Sequence, residues 1–474
     1  MIFSIQEVEA DQVFQNIHSF LGERASGMGG AYTAVSDDAT GTYYNPGGLG
    51  FANKSSFTAS SSGYQKGYDN YTNADGTGRD YIRKSSSYFP NFLGYVGGGE
   101  KLKYGFSFVS PYQSQTDVAN SITLPFQLYE GQYAYSNYVS INKEELIRTQ
   151  FGLSLAYRLT YRLSIGATLY YVRETHVLFA TDEYEKFDKT RMREIYYDRK
   201  LSIGFEPILG FVYALTDKLY LGFSTRKIIN TAGRRNSYYS DENYFIYKSG
   251  FGSGGVDYTD SPFIQTKSNV SMPAPTEIRT GLSYYFSEKL LWVGDFIYTS
   301  PYKLSGQNYI VNFSNPLRIT FGDDEYHELR RTETKNYATG LEYFVNQVFA
   351  IRIGYFTNHS SNKKIRWPQS VIESSIYEYA SNRIAIDPAN TIYYAGIRGG
   401  HYQYDFNDAY YQNDVSSRGI TLGFSYYISR NTSVSITVIH QRGRGGSVYY
   451  FQAPSTPVLF LQDQVNFSIT AMSE

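Results

Sequence analysis

The sequence contains no cysteine, only 2 Trp, and few charges, 18% across 474 residues. The missing cysteine excludes disulfide scaffolds, thiolate zinc sites and Cys nucleophiles together. Lys plus Arg (43) nearly cancels Asp plus Glu (44). No basic field therefore invites nucleic acid, and none is expected as a partner. No stretch approaches the roughly 18 consecutive apolar residues of a membrane-spanning helix. The start, Met1-Ile-Phe-Ser-Ile-Gln-Glu-Val-Glu9, has neither a basic n-region nor an apolar h-region. As written it is not a signal peptide, so the protein is expected either to be intracellular or to begin near a mature N-terminus. What is abundant is aromatic: 50 Tyr and 31 Phe, which excludes a disordered chain.

The dominant pattern is alternation with period two, which puts successive side chains on opposite faces of a strand. In Phe151-Gly-Leu-Ser-Leu-Ala-Tyr157 the bulky apolar residues fall on odd positions and the small ones on even positions. Leu163, Ile165, Ala167, Leu169 and Tyr171 oppose Ser164, Gly166 and Thr168 in the same way, and Ile420, Leu422, Phe424 and Tyr426 oppose Thr421, Gly423 and Ser425. Helical spacing is not sustained over comparable lengths, so the chain is all-β. About fourteen strands are predicted, at 55–64, 86–98, 102–110, 148–159, 162–174, 200–215, 218–228, 275–286, 289–300, 335–345, 347–357, 418–429, 432–443 and 462–472. At about 9–16 residues they exceed the usual 5–6 and are long enough to cross a bilayer at a tilt.

Tight turns are expected at Gly99-Glu100, Thr160-Tyr161, Thr216-Asp217, Ser287-Glu288, Asn346 and Arg430-Asn431. Between those hairpins lie polar, Tyr-rich segments, 65–85, 111–147, 175–199, 229–274, 301–334, 358–417 and 446–461, expected to be long extracellular loops. Strict alternation of short and long connections is the habit of outer-membrane barrels. The fold class expected is therefore all-β: a transmembrane antiparallel β-barrel of about 14 strands with an N-terminal hatch, or plug, inside the lumen. Tyr157, Tyr171, Tyr213, Tyr284, Tyr298, Tyr343, Tyr355 and Tyr426, near strand ends, suit the aromatic girdles at the interfaces.

Residues 1–54 differ from the rest, which makes 55–474 the barrel and 1–54 the hatch. The run from Phe20 to Gly50 is rich in Gly and small residues, as backbone packed close to other structure requires. Gly22-Glu-Arg-Ala-Ser-Gly-Met-Gly-Gly-Ala-Tyr-Thr-Ala-Val-Ser-Asp-Asp-Ala39 resembles the hatch of the outer-membrane transporters for long-chain fatty acids and aromatic hydrocarbons, the FadL/TodX type. Tyr44-Asn-Pro-Gly-Gly-Leu49 resembles that family's Asn-Pro-Ala-Gly-Leu signature, with Gly47 where Ala is usual. Phe89-Pro-Asn-Phe-Leu-Gly94 resembles the start of its second strand, and Met272 to Tyr284 with Trp292 to Tyr298 its eighth and ninth. The terminal aromatic common in outer-membrane barrels is absent from the end, Val465 to Glu474.

The resemblance implies a monomeric, plugged barrel in the bacterial outer membrane, in contact with its lipid, that passes a hydrophobic small molecule without energy input. A fatty acid or an aromatic hydrocarbon is the implied cargo, long-chain fatty acids first. It implies gate residues Arg24, Asp37, Asp38, Asn45, Pro46 and Gly47, with Asn45 and Pro46 in a turn facing the third strand. It also implies a lateral exit at a kink in that strand, for which Gly105, Phe106 and Phe108 are candidates.

Strand phase places Arg279, Val293, Asp295, Ile297 and Arg352 toward the lumen, because a lipid-facing Arg at mid-depth costs roughly 2–4 kcal/mol. Arg279, Asp295 and Arg352 are expected to form ion pairs with Arg24, Asp37 and Asp38 of the hatch, the alternative being that they bind a fatty-acid carboxylate. Trp292, Phe296 and Tyr298 then face lipid. The six His are scattered without metal-ligand spacing, so no metal, cofactor or catalytic residue is expected and the protein is not expected to be an enzyme. The alternative function is a secretion shuttle or an adhesin that binds proteins through its loops.

Overall fold

The computed structural model describes residues 15–17, 19–52, 55–71, 81–123, 135–186, 191–247, 255–260, 264–304, 329–362, 414–429, 432–448 and 457–473. The strands are β1 (Ser56–Tyr71), β2 (Tyr81–Gly98), β3 (Leu102–Thr123), β4 (Tyr135–Arg158), β5 (Leu163–Lys186) and β6 (Arg191–Ala214). Strand β7 has two segments, Leu219–Lys227 and Ile229–Tyr247. Strand β8 has three, Gly255–Asp260, Ile264–Ser268 and Thr276–Ser287. There follow β9 (Leu290–Thr299), β10 (Thr334–Asn346), β11 (Phe349–Asn358), β12 (Asp414–Ser429), β13 (Thr432–Val448) and β14 (Pro457–Ser473). Each is antiparallel to its neighbours, and β1 pairs with β14 from Phe57↔Ser473 to Tyr71↔Phe460, which closes a 14-strand barrel.

The alternation in the sequence becomes the two faces of the wall. On β4, Leu153 is 63% exposed and Ser154 2%. Phe151, Leu155, Tyr157, Leu169, Ile420 and Leu422 join the exposed outer face, while Ala156, Ser164, Thr168 and Ser425 are buried. An apolar band on the outside of a closed barrel is the lipid-facing surface of a membrane protein, and closure leaves no unpaired edge in hydrocarbon. Among the described residues, no helix is long and apolar enough to cross a membrane; strands make the crossing. Trp292, Phe296 and Tyr298 lie on this outer face, Phe296 against Tyr337 with ring centroids 5.3 Å apart.

Side-chain oxygens close the short turns. Thr160 Oγ1 accepts from the backbone amides of Arg162 and Leu163, and Thr216 Oγ1 from those of Lys218 and Leu219. Ser287 Oγ and Asn346 Oδ1 accept from Lys289 and Val348 in the same role. Short polar side chains favour such turns because they mimic a backbone acceptor. The turn expected at Arg430-Asn431 lies outside the described residues.

The expected long loops need correction. Strands β4, β5 and β6 each have 24 residues, about twice a bilayer crossing. Most of 65–85, 111–147, 175–199 and 229–274 is paired strand rising past the membrane band. Of 301–334, residues 302–304 and 329–331 pair as strands, and 414–417, 446–448 and 457–461 are likewise strand. Apart from 301, 332–334 and 358–362, the remainder of the last three loops lies outside the described residues. Beyond the lipid both faces of a strand meet polar surroundings, so alternation disappears while the backbone ladder continues. The Asp198 carboxylate, for example, accepts from Arg235 at 2.8 Å and from Ser237 inside these raised hairpins.

Residues 15–52 run across the inside of the barrel, against inward side chains of strands all round it. They include α1 (Glu23–Gly27), α2 (Gly41–Tyr44) and a 3-10 turn at Pro46–Phe51. Leu21, Met28, Ala31, Tyr32, Ala39 and Leu49 are fully buried there. Glycine is required at Gly22, where φ is 77° just before α1, a backbone conformation that other residues rarely adopt.

Candidate functional site

The most heavily charged contact between this segment and the wall is a buried network. Arg352, on β11 and 1% exposed, gives Nη2 to Glu23 at 3.1 Å and Nε to Glu342 of β10 at 2.7 Å. Its Nη1 also donates to Ser425. Arg24 binds the same Glu342 at 2.8 Å and Asp37 at 2.7 Å. The second oxygen of Glu23 accepts from Ser433 and Ser435 of β13. Arg352, Glu23 and Glu342 thus satisfy one another out of water, with Arg24 linking them to the partly exposed Asp37. Burial makes each member depend on the rest, since a lone charge there is far costlier than a pair.

The sequence reading placed Arg352, Asp295 and Arg279 inward, and all three are buried inward residues. Their partners differ from those expected. The Asp295 Oδ2 accepts from the backbone amides of Tyr32 and Thr33, at 2.9 and 3.0 Å, and from the Thr33 hydroxyl at 2.7 Å. Arg279 pairs with Glu277 of its own strand at 2.6 Å and lies over the Tyr44 ring. Among the described residues Asp38 pairs with no arginine; it accepts from Tyr32 Oη and Thr40. Burial, with the adjacent Asp37 carboxylate, pushes the Asp38 carboxyl above its ordinary range. Glu23 and Glu342 were missed. The inward phase of β10, Ala338-x-Gly340-x-Glu342, already carried the signal for the second. Val293 and Ile297 are buried in the core shared with the segment.

The Asn45-Pro46-Gly47 turn is a cap. Asn45 Oδ1 accepts from the Gly47 amide with Pro46 opening the 3-10 turn, the usual division of labour between an N-cap and a proline at the first position. Asn45 Nδ2 donates to the carbonyls of Thr33 and Phe211, tying the segment to itself and to β6. The turn therefore faces β5 and β6 and not the third strand as expected. What faces β3 is Thr42, whose hydroxyl donates to Ser107 at 2.9 Å, and Ser19, whose amide donates to the Pro111 carbonyl at 3.0 Å.

The wall beside Ser19 has a lapse. Strands β2 and β3 pair from Gly98↔Lys103 up to Phe92↔Val109 and again at Ser85↔Thr116. Between these points, among the described residues, 86–91 and 110–115 form no ladder pair with each other. In the shared register Pro90 falls opposite Pro111, and neither has an amide hydrogen to give. Bulges flank the lapse, in β2 against β1 and in β3 against β4. Asn91 leaves the ladder to donate to the carbonyl of Phe20 and accepts from Ser60, so the N-terminal segment borders the lapse directly. Of the third-strand candidates, Gly105 points inward toward Thr42. Phe106 and Phe108 point outward, 41% and 37% exposed, and do not line the interior. The irregularity of β3 lies instead at Ser110-Pro111, where the register against β4 shifts between Val109 and Tyr112.

On the other side of the segment the inner wall is charged. Arg148 pairs with Glu174 at 2.6 Å, Gln150 donates to Glu206, and Arg226 and Arg279 share Glu277. Arg226 also donates to the Tyr43 carbonyl.

No protein-family model matches this sequence, and no curated protein does. Solved structures do. The toluene transporter TodX of Pseudomonas putida superposes with a TM-score of 0.59 over 98% of this chain and 99% of its own, at 14% identity. The fold is that of the FadL/TodX-type barrels. A FadL homologue from Pseudomonas aeruginosa follows at 0.56 over 97% and 99%, with 12% identity. The Ralstonia pickettii toluene transporter TbuX follows at 0.55 over 97% and 99%, with 12% identity. The named activities among these neighbours are transport and not enzymatic.

Proposed function

We infer that this protein is a bacterial outer-membrane channel for passive uptake of hydrophobic compounds, with residues 1–54 as its hatch. The single observation that carries the reading is the lapse between β2 and β3 beside Ser19, Phe20 and Asn91. A closed barrel whose interior is occupied needs some other way out for a greasy solute, and a break in the ladder between two neighbouring strands of the wall offers one. The reading is supported by toluene transporters among the neighbours. The test is uptake of labelled toluene and of a labelled long-chain fatty acid by cells with no other such transporter. Replacing both prolines, Pro90→Ala/Pro111→Ala, restores two ladder donors and is expected to slow uptake several-fold at matched surface expression. Unchanged uptake would remove the lateral route.

Within that reading, long-chain fatty acids fit the charged inner wall better than bare hydrocarbons do. Arg148, Arg226 and Arg279 face Glu174, Glu206 and Glu277 in equal number, and a carboxylate reaching Arg226 and Arg279 competes with the one glutamate those two share. The variant Arg226→Gln/Arg279→Gln is expected to raise KM for a fatty acid about tenfold while leaving toluene uptake unchanged. Equal effects on both solutes would assign the two arginines to packing alone.

A further inference from the structure

The inner wall at the short-turn end holds three cations that none of the ion pairs above uses. Lys103 near the start of β3 and Arg158 at the end of β4 have the inward phase. Arg162, in the turn that follows, keeps the phase of the buried Ser164 on β5. Lys103 pairs in the ladder with Ala156, and Arg158 with Ser164, so each cation stands diagonal to the next. Diagonal positions are about 7–8 Å apart. Lys103 is 5% exposed, and among the described residues its ammonium has no hydrogen-bond or ion-pair partner. Arg158 lies over the Phe51 ring at 4.8 Å and Arg162 over the Tyr161 ring at 5.1 Å. The Nε of each is buried without an acceptor, and no described carboxylate pairs with either guanidinium. The flanking turns, Glu100-Lys101 and Asp217-Lys218, balance their own charges. Three inward cations are left over.

Beside these cations the mouth is aromatic. Phe51 ends the 3-10 turn of the N-terminal segment, and its ring meets Tyr220 at 6.1 Å. Tyr220 in turn meets Tyr285 at 5.7 Å, again edge to face. Of the acids near these rings, Asp37 is paired with Arg24 and Asp217 lies exposed on its turn.

We propose that this mouth binds the oxyanionic head of a long-chain amphiphile, a carboxylate or a phosphate, with the tail along Phe51, Tyr220 and Tyr285. Taking a cation out of water without a counter-charge is costly, so a buried lysine with no partner marks where one is missing. The stacked rings hold each guanidinium by its face and leave its edge for an acceptor, and such edges match the oxygens of an oxyanion. An anion among three like charges also removes their mutual repulsion. The rings supply apolar surface that a free inorganic ion would not use. Arg226 stands near the far end of the first β7 segment, roughly 20 Å further along the wall. The two places are therefore separate, and this one does not rest on what the channel carries.

The chain has no cysteine, so Lys101→Cys on its exposed turn carries a single bimane fluorophore in the full chain in neutral detergent. The probe is 5-doxyl stearate, whose nitroxide sits close to the carboxylate and quenches at short range. Saturable quenching is expected, reversed by excess stearate or oleoyl lysophosphatidate and not by inorganic phosphate. Displacement by only one of the two lipids assigns the head to that group; displacement by neither would overturn the site. The methyl ester of the probe keeps the tail without the charge and is expected to quench weakly and without saturation. Arg158→Gln/Arg162→Gln is expected to weaken probe binding about thirtyfold, and Lys289→Gln, on a distant turn, to change nothing. Lys103→Met separates binding from folding. It is expected to weaken binding about tenfold while raising the denaturant midpoint of the ligand-free barrel, because it removes a buried charge that nothing pairs. A lowered midpoint would make Lys103 a structural residue and overturn the site. Equal quenching by the ester, or equal binding by the arginine variant and the wild type, would overturn it as well. Displacement by inorganic phosphate would overturn its assignment to an amphiphile. Loss of quenching with uptake intact would strike this site alone, and loss of uptake with quenching intact would strike the channel reading alone.

Discussion

Arg352→Ala is expected to destabilise the protein by about 3–5 kcal/mol, the cost of leaving buried carboxylates without their counter-charge. The magnitude follows from what stays behind. Among the described residues Glu23 then keeps only Ser433 and Ser435, and Glu342 only Arg24. Glu23 belongs to the N-terminal segment and Arg352 to the wall, so the loss falls on the joint between them. Two readouts follow: a lower denaturant midpoint of the folded barrel, and protease cleavage near residue 23 at concentrations that leave the wild type intact. Pairing the change with Glu23→Gln removes the stranded charge and is expected to restore part of the midpoint. If Arg352→Ala left both readouts unmoved, the network would have to be an incidental cluster and not an anchor.

The second large effect is steric. Gly166 points inward on β5, and a side chain added there would sit on the Pro46 carbonyl and close to the Gly47 amide. Gly47 in turn rests on the backbone of Phe211. The Asn45-Pro46-Gly47 turn is therefore held between two strands at backbone contact, with no flexible side chain to give way. Gly166→Leu is expected to lift the turn off the wall, because overpacking costs about 1–3 kcal/mol and the wall is braced by its ladder. The barrel should still assemble, since β5 keeps its pairing and outer face. In planar bilayers the variant is expected to conduct ions where the wild type is closed, and cells carrying it should become sensitive to large antibiotics. Ala167→Leu, one residue away on the lipid face, is the control and should stay closed. A closed Gly166→Leu barrel would mean that the turn does not seal the lumen.

Both experiments probe places where distant parts of the chain meet, and that is where the sequence and the structure part company. The alternation of Phe151 to Tyr157 and of Ile420 to Tyr426 is local, because a strand's two faces are set by consecutive residues. Fold class, the inward phase of Arg279, Asp295 and Arg352, the outward phase of Trp292 and Phe296, and the short turns at Thr160, Thr216, Ser287 and Asn346 were therefore legible. The raised hairpins were not. Their polar strands are held by backbone ladders, which leave no hydrophobic period to read. Nor were the partners legible: Arg352 meets Glu23 from 329 positions away, and Asp295 meets Thr33 from 262. Which carboxylate faces which arginine depends on how the barrel closes around the segment. The lapse at Pro90 and Pro111 likewise exists only because the register of β2 on β3 sets one proline opposite the other. Local alternation was enough to specify a membrane barrel and the side of the wall each of those charges takes, since lipid excludes charge wherever it falls. Only the tertiary structure decided what each charge binds and where the wall opens, since those follow from contacts between strands and not within them.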